Sequence, residues 1–314
     1  MNLHTYPKDF QDLQELTAKY AGIPAAAVKK DYYIVLLLQK LQQSPYAGEC
    51  VFKGGTSLSK CYPGSISRFS EDIDLTFAPQ ALLGSKQYDR RLKQIEKSMA
   101  EGFHLEKIIS ERNDRNKSAY IWFDETDPAN GRIKLEIGSS VRPEPYGKKG
   151  IRSYIQEYLE AHEANEAVAE YGLSEVQVQV LAIERTFLDK VLAVKRHAVC
   201  GTLINKIRHI YDVTALFPRE DIQQFLAERD NLKALLHLTK KTDAFYLSKR
   251  RNAGAYNSLA PYDFHAWRDA FDAAAKKRYE TLHKDLLFTE EKQDFSKALE
   301  VFERLDQIFA SLGE

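Results

Sequence analysis

The chain has 314 residues, 45 Lys+Arg against 45 Asp+Glu, and so a formal charge of zero before histidine is counted. At 44% hydrophobic and 29% charged residues it can bury a core, its length suggests about two domains, and a generally basic nucleic-acid coat is excluded. The longest apolar run, residues 32–38, is far short of the ~20 residues of a membrane span; no leader pattern is visible, and Cys50, Cys61 and Cys200 are too scattered for a disulfide framework or zinc site, so a cytoplasmic protein is expected.

Phe10, Leu13, Leu16 and Tyr20 fall at helical spacing within residues 7–20, and Pro24 restarts a helix that carries Val28, Tyr32, Val35 and Leu36. A short strand over residues 50–52 runs into Gly54 and Gly55, followed by a turn or two of helix that Pro63 and Gly64 break. Residues 72–77 alternate polar with apolar, the signature of a half-buried strand. A charged amphipathic helix is expected over 79–101, then strands over 119–123 and 132–137 joined by a hairpin loop rich in Asp, Pro, Asn and Gly. Residues 143–150 read as a loop and 176–181 as a last strand. From Glu184 the chain reads helical almost to its end, so a boundary near 175–183 separates an α/β half with few strands from an all-helical half.

A strand that ends in glycines and opens a helix suits phosphate, because the backbone comes close to the anion and the helix start offers unpaired N–H groups. Taken alone, Gly54 and Gly55 are more often just a turn. Asp72 and Asp74 are two apart on a strand and project side by side. Paired carboxylates repel unless a cation lies between them, and hard oxygen ligands suit Mg²⁺ with its waters and substrate phosphates. A lone pair of this kind is more often a solvated strand face; beside the glycine turn it reads as a metal pair next to a triphosphate cradle. Glu136 alternates with Leu135 and Ile137, so it can share the face of the two aspartates. Three carboxylates from two strands are what two-metal nucleotidyl transfer requires.

Residues 52–77, from Phe52, Lys53, Gly54, Gly55, Thr56 and Ser57 through Asp72, Ile73 and Asp74, resemble the nucleotidyltransferase core of the AbiEii/AbiGii toxin family, within the DNA polymerase β-like superfamily. The resemblance takes in Lys30, Asp31, Tyr32 and Tyr33 upstream, then Arg185 to Lys190 and Arg208 to Asp212 downstream. It implies an α+β fold: a polymerase β-like core with a small mixed sheet flanked by helices over residues 1–180, and a helical domain over 181–314 that contributes to the nucleotide cleft. It implies Asp72, Asp74 and Glu136 as metal ligands and catalytic carboxylates. Gly54, Gly55, Thr56 and Ser57 would cradle the triphosphate, Lys190 and Arg208 would neutralise it, and Asp212 would hold Lys190 or Arg208 in place. The implied activity is Mg²⁺-dependent transfer of a nucleoside monophosphate from an NTP to the 3′ end of tRNA. The protein would then be the toxin of a toxin–antitoxin or phage-defence pair, with a separately encoded AbiEi-like antitoxin.

Transfer to a protein or small-molecule hydroxyl, and a non-catalytic nucleotide-binding module, are the alternatives. Lys30 and Asp31 either touch the cleft or pair with neighbours; Lys60, near the cradle, either supplements it or, as a lysine on a short surface helix usually is, is solvated. Ser70, two residues before Asp72, would repel nucleotide if phosphorylated. Two basic clusters are candidates for RNA contact: Arg142, Lys148, Lys149 and Arg152, and Lys240, Lys241, Lys249, Arg250 and Arg251 around Phe245 and Tyr246.

Overall fold

The computed structural model describes residues 1–81, 83–248, 256–285, 287–288 and 290–314, in two compact units. Met1–Cys61 and Phe69–Leu181 form the first; Tyr62–Arg68 and Ala182–Glu314 form the second. Among the described residues no helix is long and apolar enough to cross a membrane.

Helices α1 (Pro7–Ala21) and α2 (Ala25–Gln42) open the first unit. Pro7 lies in the first turn of α1, Gly22 ends it in the left-handed conformation, and Pro24 stands extended ahead of α2. Every residue of α2 from Asp31 to Leu38 is buried, which makes it a core helix rather than a surface one. There follow β1 (Cys50–Lys53), α3 (Gly54–Cys61), β2 (Ile73–Phe77), α4 (Ser85–Met99), β3 (His104–Lys107), β4 (Asn116–Trp122), β5 (Arg132–Gly138) and β6 (Tyr146–Ile151). The unit ends with α5 (Tyr154–Ala161), α6 (Asn165–Glu170) and β7 (Val176–Leu181).

The strands form one seven-stranded mixed sheet in the order β3-β4-β5-β2-β1-β7-β6. Parallel pairings join β2 to β5 and β1 to β7, and the rest are antiparallel. Ile73, Leu75 and Phe77 share a buried face with Leu135, Ile137, Ala119 and Ile121, beneath α2 and α4. The alternate residues Asp74, Glu136, Lys134 and Tyr120 therefore point to the opposite face.

The sheet is larger than the sequence pattern suggests. The stretch expected as a loop over 143–150 contains β6, an edge strand whose residues are exposed except Ile151, so burial leaves no alternation to read. β3 escaped notice for the same reason, being short and solvent-facing. α4 starts at Ser85 and not at 79, because the Gln87 side chain accepts from the Gly84 N–H and fixes the helix start there.

The second unit is helical: α7 (Ile183–Val199), α8 (Ile207–Leu216), α9 (Glu220–Ala227), α10 (Arg229–Ser248), α11 (Ala273–Glu280), α12 (Leu282–Asp285) and α13 (Phe295–Ser311). Tyr262, Phe264, Trp267, Phe302 and Phe309 interlock in its core, mostly edge to face. The irregular segment 62–68 is held by Ser67, whose N–H donates to the Tyr211 hydroxyl at 3.1 Å and whose carbonyl accepts from Phe288 N–H at 2.9 Å. Lys249, Arg250 and Arg251 lie outside the described residues. Lys240 is no surface contact: it is buried and bonded to Glu314 at 2.7 Å.

Candidate active site

Gly54 is required at its position for two reasons. Its φ is +86°, left-handed, and a Cβ built there would fall 2.2 Å from Asp74 Oδ2. The Asp74 carboxylate thus lies against the bare α-carbon where β1 turns into α3. The chain then passes Gly55, Thr56 and Ser57 in the first turn of α3, where backbone N–H groups lack helical partners. Thr56 and Ser57 are buried, and their hydroxyls work locally: Ser57 donates to the Gly54 carbonyl at 3.0 Å, Thr56 to Ser70 Oγ at 3.0 Å. Ser57 therefore fixes the turn, and the N–H groups are what the turn offers an anion.

Asp72 and Asp74 are half-buried and flank fully buried Ile73. Register extends the row: Asp74 sits opposite Lys53 on β1 and opposite Glu136 on β5, and paired residues of adjacent strands share a face. Alternation had suggested this face for Glu136, and the pairing places it beside Asp74. Lys134, two residues earlier on β5, bonds Glu136 at 2.5 Å and Glu111 at 2.8 Å. Burial works against the Lys134 charge, but the two carboxylates outweigh it and hold the ammonium above its ordinary pKa. Alternation could have flagged Lys134, since it shares a face with Glu136.

The donor chemistry at Asp72 and Asp74 fits a hard divalent cation. Both are carboxylates, two residues apart, and the missing side chain of Gly54 leaves room for the Asp74 carboxylate beside the start of α3. Among the described residues no three His, Cys, Asp or Glu side chains are grouped to hold a metal ion, so Glu136 does not join Asp72 and Asp74 as a third ligand in this structure. An open pair of this kind suits a cation that keeps waters and takes phosphate oxygens.

The Lys30 and Asp31 element resolves into ion pairs. Lys30 bonds Glu71, the residue before Asp72, and Asp31 holds Lys60 at 2.8 Å while accepting from Tyr154 N–H at 2.7 Å. Lys60 is buried, contrary to the solvated surface position expected, and lies 4.1 Å from the Tyr154 ring centroid. Burial pushes the Asp31 carboxyl up, with Lys60 opposing.

In the second unit, Asp212 is fully buried and receives three donors. Arg68 Nε and Nη2 reach its two oxygens at 2.6 and 2.8 Å, and Lys190 Nζ reaches Oδ2 at 2.6 Å. Burial would raise the Asp212 carboxyl, but Lys190 and Arg68 outweigh it and hold it well below the ordinary carboxylate range. Asp212 thus holds Lys190, one of its two expected partners. Arg208, the other, is exposed, and the forked partner is Arg68. Arg68 was missed because segment 62–68 has no periodicity to mark it. His209 is half-buried beside this cluster and held well below its ordinary pKa, by desolvation first and then by Lys190. Arg185, also buried, bonds Asp189 at 3.1 Å. The basic clusters fare differently: Lys148 and Lys149 are exposed on β6, whereas Arg152 pairs with Glu160 and Glu175.

Carboxylates on paired strands beside a glycine-opened helix are the features of a nucleotidyltransferase. The family model for the AbiEii nucleotidyl transferase toxin of type IV toxin–antitoxin systems matches residues 36–301, and the chain belongs to that family. The match begins after Lys30 and Asp31, and it continues through the helical region well past Asp212. A solved structure, MenT4, the nucleotidyltransferase toxin Rv2826c from Mycobacterium tuberculosis H37Rv, is similar at 20% identity and a TM-score of 0.48, covering 95% of this chain and 98% of that one. No curated protein sequence matches.

Proposed function

We propose that this nucleotidyltransferase toxin transfers a nucleoside monophosphate from an NTP to the 3′-terminal hydroxyl of tRNA, with Mg²⁺ carried on Asp72 and Asp74. The observation that supports it is the row Lys53, Asp74 and Glu136, aligned across three strands with Asp74 against the bare Gly54. In the reaction the acceptor oxygen bonds to the α-phosphorus, the bond to the β-phosphate oxygen breaks, and pyrophosphate leaves. When bound, the cation draws charge from the phosphate oxygens and lowers the pKa of the acceptor hydroxyl. The N–H groups of Gly55 and Thr56 orient the triphosphate. Glu136 is the third carboxylate and takes the acceptor proton, with Lys134 staying on Glu111. Within the second unit Asp212 holds Lys190, the lysine that the family resemblance assigns to charge neutralisation. Arrest of translation would follow in the cytoplasm, in phage defence, relieved by a cognate antitoxin.

The test has two parts. Induced expression of wild type should arrest growth, whereas Asp72→Ala with Asp74→Ala should not; equal toxicity of the double variant defeats the mechanism. Labelled NTPs offered with separate RNA, protein and small-molecule pools should place the label on RNA. Label on protein or a small molecule would reassign the acceptor and keep the chemistry.

A further inference from the structure

We infer that a lysine-lined cavity of the second unit binds the sugar-phosphate backbone of RNA without reading its sequence. This rests on the transferase reading in one respect, that the RNA docked is the acceptor. The cavity has a volume of about 550 Å³ where α11 meets α12. Lys276, Lys277, Lys284 and Lys292 line it together with His283. Against these four cations stands one carboxylate in the lining, Glu280, which Lys292 approaches at 3.1 Å and Lys276 at 3.9 Å. His283 Nδ1 donates to the Glu280 carbonyl at 2.9 Å, so its proton sits there.

Three features select the ligand. The lysine stems form most of the wall and carry their ammonium groups out to solvent at its rim, where point charges suit phosphate. Protein-binding surfaces are depleted of lysine and anchored by aromatic residues; no large hydrophobic residue among the described ones of 273–292 is exposed. The same lack of an exposed aromatic ring removes the stacking that base recognition would use. What is left is backbone binding. A chain of zero net charge has no general pull on a polyanion, so a local surplus is where one must attach.

The experiment is fluorescence anisotropy of the full chain with two labelled duplex RNAs of unrelated sequence, across a salt series, with no nucleotide or Mg²⁺. Lys277→Gln with Lys284→Gln should weaken both RNAs equally and flatten the slope of log K against log salt by about 1.8, from ~0.9 per phosphate. Glu280→Gln should tighten binding of both, a gain that misfolding cannot imitate. An unchanged slope in the lysine variant, unequal effects on the two RNAs, or displacement of RNA by stoichiometric tripolyphosphate would overturn the assignment. Because the assay contains no nucleotide, the two readings fail separately. If label goes to RNA while binding ignores these lysines, the docking site is wrong. If binding obeys the lysines while no label reaches RNA, the transferase acceptor is wrong.

Discussion

Gly54→Ala isolates the contact on which the site is built. A left-handed φ costs an L-residue about 1–2 kcal/mol, and the new Cβ would start 2.2 Å from Asp74 Oδ2, where ordinary contact begins near 3.4 Å. The carboxylate must therefore retreat by about 1 Å, a displacement that costs on the order of 100-fold in rate when it misplaces a reacting constellation. Transfer of labelled nucleotide should fall by about that factor, with a lowered melting temperature. The double variant Gly54→Ala with Asp74→Ala separates the two effects. Removing the carboxylate makes room for the methyl group, so the double variant should melt above the value expected from adding the single losses, while its activity should equal that of Asp74→Ala alone. Contacting residues couple in this way, and independent ones do not. Wild-type transfer by a folded Gly54→Ala, or strict additivity of the melting shifts, would refute the reasoning.

Asp212→Asn leaves Arg68 and Lys190 buried without their counter-charge, and should cost roughly 3–5 kcal/mol in urea melts. Because the Asp212 carboxyl is held below its unfolded value, its contribution is full above about pH 4 and fades on acidification below that; the gap between wild type and variant should therefore narrow in acid melts. Lys134→Met removes the ammonium that holds and stabilises the Glu136 carboxylate, so Glu136 becomes the better proton acceptor and transfer of labelled nucleotide should rise; a fall would remove Glu136 as the base. Ser70→Asp puts charge where Thr56 now donates its hydroxyl and should abolish transfer, whereas Ser70→Ala should retain most of it.

Legibility followed burial. The alternation of residues 73–77 and 132–137 was plain because one face of each strand is buried and the other is not. β6 was illegible because five of its six residues face solvent and its stability comes from pairing with β7. The glycine turn and the Asp72, Asp74 and Glu136 face were readable because they are local or strand-periodic. Arg68, Lys60 and Glu111 were not, because each acts through a partner distant in sequence, and tertiary pairing leaves no trace in spacing. The i, i+4 pairing of Arg208 with Asp212 shows the converse failure. Helical spacing permits that pair, but a buried carboxylate is better served by a forked guanidinium that comes out of solvent with it.

The zero net charge bears on the same point. Among the described residues, eight basic side chains are buried, Lys30, Lys60, Arg68, Lys117, Arg185, Lys190, Lys195 and Lys240, against three acidic ones, Asp31, Glu96 and Asp212. Several of the partners are more exposed than the cations they bind, Glu71, Asp89 and Asp189 among them. These exposed carboxylates are therefore neutralised by the cations beneath them, and 45 of each sign give the chain no net charge. A chain so balanced has no general pull on RNA, so attachment is concentrated at places where lysines outnumber carboxylates. The cavity beside α11 and α12 is one, with four lysines against Glu280. Raising salt should therefore weaken RNA binding to wild type steeply, yet leave a Lys277→Gln and Lys284→Gln chain less sensitive, because two fewer phosphate contacts release fewer counterions.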